Sequence, residues 1–546
     1  MTGEEKFVIF ASSLGTVFEW YDFYLYAVLA PFFASLFFPA GNDTAALLSA
    51  FATYAAGFLV RPFGALIFGR IGDLVGRKYT FLVTIVVMGS STFLVGLLPK
   101  YTAIGWAAPI LLVTLRLCQG LALGGEYGGA ATYVAEHARP HERGFSTSWI
   151  QTTATLGLLL ALIVIGLCRE FMDAAVFADW GWRVPFLVSI ILLVFSVYIR
   201  LKLNETPIFQ KMKAEGKGSK APLTESFFHY PNNKYVLLAL LGATAGQGVV
   251  WYTGQFYALF FLTITLKLFY IHAYVLIGIS LIIGTPFFIV FGWLSDRIGR
   301  LKIILAGCAI AAITYIPLFQ GLVHYINPDL EAFANKNPIV VSADAKTCEL
   351  HIFVTAFTKF SPCDRAQDFV TKLGLSFKTV DVPSAGDKVS ISIGSTKIEE
   401  FDAGKWNTAF LEAGYPNLQK NAAGAIVPKS ADPAKINWLM AELILFIMVI
   451  YVTMVYGPIA AFLVEMFPTK IRYTSMSLPY HIGNGWFGGM LPLLATAVVA
   501  ATGDIYAGLY YPIGVAVMTL VIGLIFLKDT KGVDITTGSG VAIQKT

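Results

Sequence analysis

The chain has 546 residues, of which 56% are hydrophobic and only 13% are charged, and its mean hydropathy is +0.67. These values exclude an ordinary soluble domain, in which about a quarter of the residues are charged. The net charge of +5 is modest and follows from the loop bias described below, so we expect no nucleic-acid partner. The sequence predicts a multi-pass protein of the lipid bilayer.

Twelve mostly apolar stretches are long enough to cross a hydrocarbon core of about 30 Å as helices. They are residues 8–36, 45–70, 80–98, 106–135, 145–168, 182–200, 235–264, 272–294, 303–322, 437–464, 474–500 and 507–527. We therefore expect an all-α polytopic fold with twelve transmembrane helices.

The basic residues of the short connections predict the orientation. The loops that lie inside if the N-terminus is cytoplasmic hold 17 Lys and Arg, and the short outer loops hold four. Both termini are therefore expected in the cytoplasm. The opening "MTGEEKF" has no basic run before a cleavable apolar core, so the first helix is expected to be permanent.

An internal repeat divides the chain. "GRIGDLVGRK" and "GWLSDRIGRLK" place Asp73 and Asp296 223 residues apart. "EHARPHERGF" and "EMFPTKIRY" repeat a Glu and an Arg with an offset of 329. Because a duplicated half keeps a constant offset, the difference of 106 residues indicates an insertion between 302 and 465. Two six-helix halves and one inserted segment follow.

The insertion is the polar stretch 323–436, which this topology places outside. "CELHIFV", "LSFKTVDV" and "DKVSISIG" read as strands, and "SPCDRAQDFVTKLG" reads as a helix with a Ser cap, so we expect a small α/β domain. A disulfide between Cys348 and Cys363 is compatible with an outer compartment, although two unpaired thiols stay open. The predicted divisions are 1–200, linker 201–234, 235–322, insert 323–436, 437–528 and cytoplasmic tail 529–546.

Several motifs resemble those of a known family. The paired loops and "RLCQGLALGGEYGGA" resemble the major facilitator superfamily. More narrowly, "EWYDF", "FLVRPFGA", "WGWRVPF" and "NETPIF" resemble its metabolite:proton symporter family, which includes organic-acid permeases and proline/betaine transporters. The resemblance covers nearly all of the chain but does not extend to residues 323–436. It implies two halves that rock about a central site, a bacterial inner membrane, a periplasmic insert and no metal or cofactor.

The resemblance also implies a latch at the inner surface, which stabilises the outward-open state through charge pairing. We expect Asp73, Arg77, Asp296 and Arg300 to be exposed enough there to be charged at little cost. The predicted latch comprises Asp73, Arg77, Glu136, Arg143, Asp296, Arg300, Glu465 and Arg472.

Charged residues inside the helices are candidates for proton coupling, because a carboxylate at the bilayer centre costs about 2.5–3.5 kcal/mol. Asp22 lies about 21 Å from the inner end of the first helix, and Arg116 lies at a matching depth about 15 Å from the outer end of the fourth. We predict Asp22, then Glu19, as proton carriers. A fixed salt bridge with Arg116 is the alternative; by resemblance, Arg116 takes part in proton transfer.

Glu126 and Arg61 are placed nearer the inner side by the same arithmetic. We predict that they pair there, as an inner gate or a structural contact, while direct contact with protons or substrate stays open. The predicted proton-coupling residues are therefore Asp22, Glu19, Arg116 and Glu126.

A substrate site is predicted between the halves. Arginine suits a carboxylate because its planar guanidinium can bind both oxygens, and amides and aromatic rings at helical spacing line cavities or simply pack. His481 is expected to be a hydrogen-bonded structural histidine. The predicted substrate-binding residues are Arg116, Arg61, Tyr21, Gln151, Gln247, Trp251, Tyr252, Tyr480 and Asn484.

The leading functional prediction is a monomeric symporter that carries a small organic acid and protons inward. Uptake of a zwitterion such as betaine or proline is the alternative, and a membrane sensor that uses the outer insert is a third hypothesis. The insert shows no nucleophile motif, ligand cluster or phosphate loop, so no enzyme is predicted. A shielding role or an envelope partner for 323–436 fits better.

Overall fold

The computed structural model describes residues 3–38, 53, 56–349, 359–383 and 388–535. Long helices dominate the part before the linker: α1 (Gly3–Phe37), α2 (Arg61–Leu74), α3 (Arg77–Leu97), α4 (Ala107–His137), α5 (Arg143–Phe171) and α6 (Arg183–Leu201). Three more follow it: α7 (Asn232–Thr265), α8 (Tyr270–Ile298) and α9 (Arg300–Ile326).

The inserted segment forms an α/β unit. Its elements are α10 (Pro328–Lys336), β1 (Ile339–Ala343), α11 (Pro362–Lys372), β2 (Phe377–Asp381), β3 (Ser390–Ile393), β4 (Thr396–Glu399), α12 (Ala403–Glu412), β5 (Leu418–Lys420) and β6 (Ile426–Pro428). The helices α13 (Trp438–Met466), α14 (Thr469–Thr502) and α15 (Ala507–Phe526) complete the described chain.

Ten helices of the described residues are long and apolar enough to cross a membrane, and they coincide with ten of the twelve predicted segments. The first predicted segment lies on α1. The second, 45–70, ends in α2 but otherwise falls mostly outside the described residues. The chain is a helical, multi-pass membrane protein.

The repeat is visible in the turns and in the packing. Gly76 precedes α3 with φ of 147°, and Gly299 precedes α9 with φ of 116°, a backbone conformation that suits only glycine. In addition, α2 packs on α14 and α5 packs on α8. These are two of the contacts between the N-terminal helices (α1–α6) and the C-terminal helices (α7–α9 and α13–α15). Since α2 and α8 are repeat equivalents, the two contacts use corresponding elements.

Two helices that meet each other contain π-helical turns, which often mark functional sites. They occur at Leu240–Thr244, Thr253–Tyr257 and Phe261–Thr265 in α7, and at Ile482–Gly488 in α14. The two helices approach closely: a Cβ built on Gly248 would lie 2.3 Å from the carbonyl oxygen of Gly483.

The insert has a hydrophobic core of its own, beneath a sheet of order β2-β1-β3-β4 in which only β1 and β2 are parallel among the described strands. It is fastened to the C-terminal helices: Phe377 N–H donates to Gly503 O at 2.7 Å, and Ala431 N–H donates to Lys267 O at 2.9 Å. These backbone bonds tie the insert to the ends of α14 and α7.

The predicted elements of the insert agree in part with the structure. β2 and β3 lie in predicted strands, and Ser361 caps α11 with a reciprocal capping box. The predicted strand "CELHIFV" lies mostly outside the described residues, and β1 was not predicted. Cys348 and Cys363 form a disulfide across the connection from β1 to α11.

Candidate functional site

Asp22 is buried in α1 with 4% of its surface exposed, and its Oδ1 atom has no hydrogen-bond partner. No ion pair within 4.0 Å joins Asp22 to Arg116, both of which the structure describes. Tyr21 turns away from the centre and donates a hydrogen bond to Pro185 O at 2.9 Å. The side chain of Glu19 lies outside the described residues. Asp22 is therefore a buried acid without a salt bridge to Arg116.

Arg116 of α4 packs against the face of α1 that carries Asp22. Its guanidinium is 4.3 Å from the ring centre of Tyr26, and Tyr26 is one turn from Asp22. Arg116 Nη1 donates to Gln119 Oε1 at 2.7 Å, and Gln119 Nε2 donates to Thr92 Oγ1 at 2.5 Å. A row of buried polar groups thus continues from Asp22 between the N-terminal helices.

Glu126 does not pair with Arg61, and that prediction was wrong. Both oxygens of Glu126 accept from Arg200 of α6, at 2.5 and 3.1 Å, and one also accepts from Thr84 at 2.9 Å. Arg200 was missed, although an arginine inside the apolar run "LLVFSVYIR" was a signal for a buried partner. Glu126 is fixed within the N-terminal helices.

Arg61 faces the interface between the N-terminal and C-terminal helices. Its guanidinium carbon lies 4.1 Å from the ring centre of Phe58 and 5.9 Å from that of Trp20. Tyr252 of α7 packs on the same Phe58 ring, and a Cβ built on Gly485 of α14 would lie 3.7 Å from Arg61 Cδ. Arg61 therefore presents positive charge where the two sets of helices meet.

An aromatic cluster fills the neighbouring part of this interface. Trp20 and Tyr24 of α1 stack at 5.4 Å, and both contact Trp251 of α7, at 6.0 and 6.2 Å between ring centres. Tyr252 lies edge-on to Phe58 at 5.5 Å. Trp20 of α1 and Trp251 of α7 thus meet across the interface.

A second ring contact lies on the same interface. Tyr127 of α4 and Tyr480 of α14 stack face to face, with ring centres 3.5 Å apart and planes 3° apart. Gln151 Nε2 donates to the Tyr127 hydroxyl at 2.8 Å, and the hydroxyls of Tyr456 and Tyr480 lie 2.7 Å apart. The predicted residues Gln151 and Tyr480 are thus joined through Tyr127, which was not predicted.

Two side-chain amides of the C-terminal helices hydrogen-bond to each other, whereas a histidine close to one of them in the chain has no hydrogen-bond partner. Gln247 and Asn484 exchange two hydrogen bonds, at 3.0 and 2.8 Å. His481 has no hydrogen-bond partner at either ring nitrogen, although it is 1% exposed. The prediction of a hydrogen-bonded structural histidine was wrong.

The eight predicted latch residues form two clusters of four. In the first, Arg77 lies 3.2 Å from Asp73 and 4.0 Å from Glu136, and Arg472 lies 2.9 Å from Glu136. Arg472 belongs to α14 and the other three residues to α2–α4. This cluster binds a C-terminal helix to three N-terminal ones.

The second cluster repeats the first with the halves exchanged. Arg300 lies 2.8 Å from Asp296 and 3.1 Å from Glu465, and Arg143 lies 3.5 Å from Glu465. Here Arg143 is the residue from the N-terminal helices. The side chains in both clusters are at most 7% exposed, so the expected exposure at the inner surface was wrong.

The two aspartates also cap helices across the interface. Asp73 accepts from Thr474 N–H at 2.9 Å at the start of the α-helical part of α14. Asp296 accepts from Gly144 N–H at 2.9 Å and from Phe145 N–H at 2.8 Å at the start of α5. A carboxylate is stabilised at a helix N-terminus, so each cap holds the two sets of helices together.

Two Glu/Asp-Thr pairs complete the clusters and were missed. Thr206 donates to Glu136 at 2.6 Å and Thr530 donates to Glu465 at 2.8 Å, while Glu205 and Asp529 accept from backbone N–H groups at the starts of α3 and α9. The repeated "ET" and "DT" after α6 and α15 were the available signal. The start of the predicted tail therefore contacts the second cluster.

Comparison with known proteins shows the family. A model described as sugar (and other) transporter matches residues 7–227. The α-ketoglutarate permease of Escherichia coli K12 is 36% identical over 330 residues, which cover 60% of this chain and 74% of that protein. The chain belongs to the metabolite:proton symporter family of the major facilitator superfamily. The relative just described is named as a permease.

Two further relatives show how much of the chain is similar in sequence to curated transporters. The proline/betaine transporter of E. coli K12 is 38% identical over 325 residues, but the match spans only 58% of this chain and 65% of that protein. A putative metabolite transport protein of Haemophilus influenzae is 31% identical over 533 residues, 96% of this chain and 94% of that protein. The latter match includes the insert.

The symporter fold also matches a solved structure. The proton:xylose symporter bound to 6-bromo-6-deoxy-D-glucose superposes with a TM-score of 0.62 at 15% identity, covering 97% of this chain and 98% of that one. At this identity the match concerns the fold alone.

Proposed function

We propose that this protein is a proton-coupled symporter that moves a small organic acid into the cytoplasm by alternating access. The observation that carries the proposal is Asp22, a buried carboxyl group whose Oδ1 has no hydrogen-bond partner and which forms no ion pair with Arg116. An acid buried without a fixed counter-ion binds and releases protons as its surroundings change. Asp22 is the proton carrier of the proposal.

Arg116 has the supporting role. It lies over Tyr26, one turn from Asp22, and is held by Gln119. When Asp22 has released its proton, a nearby guanidinium stabilises the carboxylate, and when Asp22 is protonated that stabilisation is not needed. Glu19 remains a second candidate carrier, whereas the Arg200 pair makes Glu126 a structural group in this proposal.

The substrate site of the proposal is the interface around Arg61. Arg61 supplies charge for a carboxylate, and Tyr252 packs on the same Phe58 ring. The further substrate-binding residues of the proposal are Gln151, Trp251, Tyr480 and Asn484. The α-ketoglutarate permease, a relative named for a dicarboxylate, supports this class of substrate. Arg116 and Tyr21 contribute less, because both face the interior of the N-terminal helices.

A zwitterionic osmolyte such as betaine is the second candidate. The ring centres of Trp20, Tyr24 and Trp251 lie 5.4 to 6.2 Å apart. Aromatic faces attract quaternary ammonium groups. A relative named proline/betaine transporter agrees with this alternative. A membrane sensor has no comparable support.

The proposed topology has twelve helices in two halves, 1–200 and 235–322 with 437–528. The linker 201–234 and both termini lie in the cytoplasm, and the insert 323–436 lies in the periplasm of an inner membrane. The latch clusters then close the cytoplasmic side, so the conformation described is inward-closed. In this proposal the protein is a monomer, and the insert is available to bind another envelope protein.

Uptake by the full-length protein in liposomes tests the function. Succinate, 2-oxoglutarate, citrate, glycine betaine and proline are compared under an inward proton gradient and after its collapse. Gradient-dependent accumulation of an acid is expected. If only betaine or proline accumulates, the substrate is a zwitterion and not an organic acid. If uptake is the same with and without the proton gradient, proton coupling is rejected.

A further inference from the structure

His481 is a buried polar side chain that the protein itself leaves unsatisfied. Only 1% of its surface is exposed, and neither ring nitrogen has a hydrogen-bond partner. A buried donor or acceptor without a partner costs free energy relative to an apolar residue of similar shape. Phenylalanine would fill the same space without that cost, so packing alone does not account for a histidine here.

The face of α14 that carries His481 looks across the interface. Ser477, His481 and Gly485 are spaced by four residues and share one face. A Cβ on Gly485 would lie 3.7 Å from Arg61 Cδ, and Ser477 Oγ occupies the space beside Gly128 of α4. His481 therefore stands between two contacts with the N-terminal helices.

The surroundings of His481 favour an anionic ligand. Arg61 reaches the same face of α14, since its Cδ lies 3.7 Å from a Cβ built on Gly485, one turn from His481. The Tyr480 ring lies edge-on to His481 at 5.0 Å. Ser477 Oγ, one turn away, also has no hydrogen-bond partner. A donor, a hydroxyl and a guanidinium converging from two helices are suited to a carboxylate.

We propose that His481 donates a hydrogen bond to a carboxylate of the transported substrate, while Arg61 supplies the opposing positive charge from the other half. This inference rests on the proposed function, since it assigns the carboxylate its position in that site. One substrate group then touches α2 and α14 together. Because these helices belong to different halves, binding of the carboxylate draws the halves together and its release lets them separate.

The test is direct binding to the purified full-length protein, measured by calorimetry. The acid of the panel above that binds most tightly is compared with its monoamide, for the wild type, His481→Ala and His481→Gln. His272→Ala is the matched control, because His272 is a histidine of the C-terminal helices beside Trp438. Melting and gel filtration establish that each variant is folded.

The expected result is an increase in Kd of about 10- to 100-fold for the acid in His481→Ala, as for loss of a hydrogen bond to a charged group. His481→Gln should recover part of the affinity, because its amide can donate. The monoamide should bind wild type and His481→Ala about equally, and His272→Ala should match the wild type for both ligands.

Two outcomes overturn the inference and are distinguishable from failure of the proposed function. If wild type takes up the acid but His481→Ala binds it with unchanged Kd, the transport proposal stands and the role of His481 is rejected. Equal losses for acid and monoamide reject it too, since the carboxylate is then not the group contacted. If wild type binds no carboxylate ligand, both proposals fall.

Discussion

Arg472 of α14 lies 2.9 Å from Glu136 of α4, and this pair joins the two sets of helices through a fully buried contact. Its repeat equivalent, Arg143 with Glu465, does the same at 3.5 Å with the halves exchanged. Because each glutamate also binds an arginine of its own half, losing the cross-interface arginine leaves an incompletely neutralised buried cluster. We therefore expect closure of this side to depend on a few charges.

Arg472→Gln is expected to open that side. Removing one partner of a buried ion pair costs about 3–5 kcal/mol, and separation of α14 from α4 relieves part of this cost by admitting water. A cysteine introduced at the buried Ser477 should react faster with a hydrophilic maleimide, and uptake should fall. Lys217→Gln is the control, because Lys217 pairs with Glu215 in solvent. Unchanged labelling would refute the latch.

Asp22→Asn is expected to abolish gradient-driven accumulation, because the amide has nearly the same shape but carries no exchangeable acid proton. Exchange of labelled for unlabelled substrate, which needs no net proton movement, should persist. Both are measured in the same liposomes, with Asp179→Asn as the control because Asp179 is exposed beside Lys100. Wild-type accumulation in Asp22→Asn would remove Asp22 from proton coupling.

Gly292→Val is expected to prevent closure by steric contact. A Cβ on Gly292 would lie 2.6 Å from Gly144 O and 2.4 Å from the Ser148 Cβ of α5, so α5 and α8 cannot approach as they do. The transporter should remain open on the latch side, with faster labelling at Ser477→Cys and little uptake. Gly166→Val is the control, because nothing lies within 4 Å of a Cβ there. Normal uptake in Gly292→Val would contradict the close approach.

Cys348→Ser with Cys363→Ser is expected to weaken the insert but not transport. The disulfide spans 15 residues, and a crosslink over that length stabilises by about 3 kcal/mol in the loop-entropy model. Limited proteolysis should cut within 323–436 sooner, while the uptake rate stays the same. Cys308→Ser, which removes a free buried thiol, controls for general destabilisation. Loss of uptake would show that transport needs an intact insert.

Sequence pattern predicted the helices because each needs only a local apolar run. Repeat spacing likewise indicated an insertion and set the latch candidates in equivalent pairs, since duplication preserves spacing. Their role as a latch was implied by the family resemblance. Spacing did not reveal that Arg143 and Arg472 each pair with a glutamate of the other half. The partner of a long side chain depends on which helices pack together.

The charged residues inside the membrane show most clearly what the sequence determines and what only the tertiary structure determines. Sequence by itself determined that Asp22, Arg116, Glu126 and Arg61 are charges within membrane-spanning segments, because hydropathy and helix depth are properties of one segment. Only the tertiary structure decided that Glu126 binds Arg200, that Asp22 and Arg116 stay apart and that His481 lacks a partner. Hydrogen bonding and ion pairing act over a few ångströms, and that proximity arises only when distant helices pack.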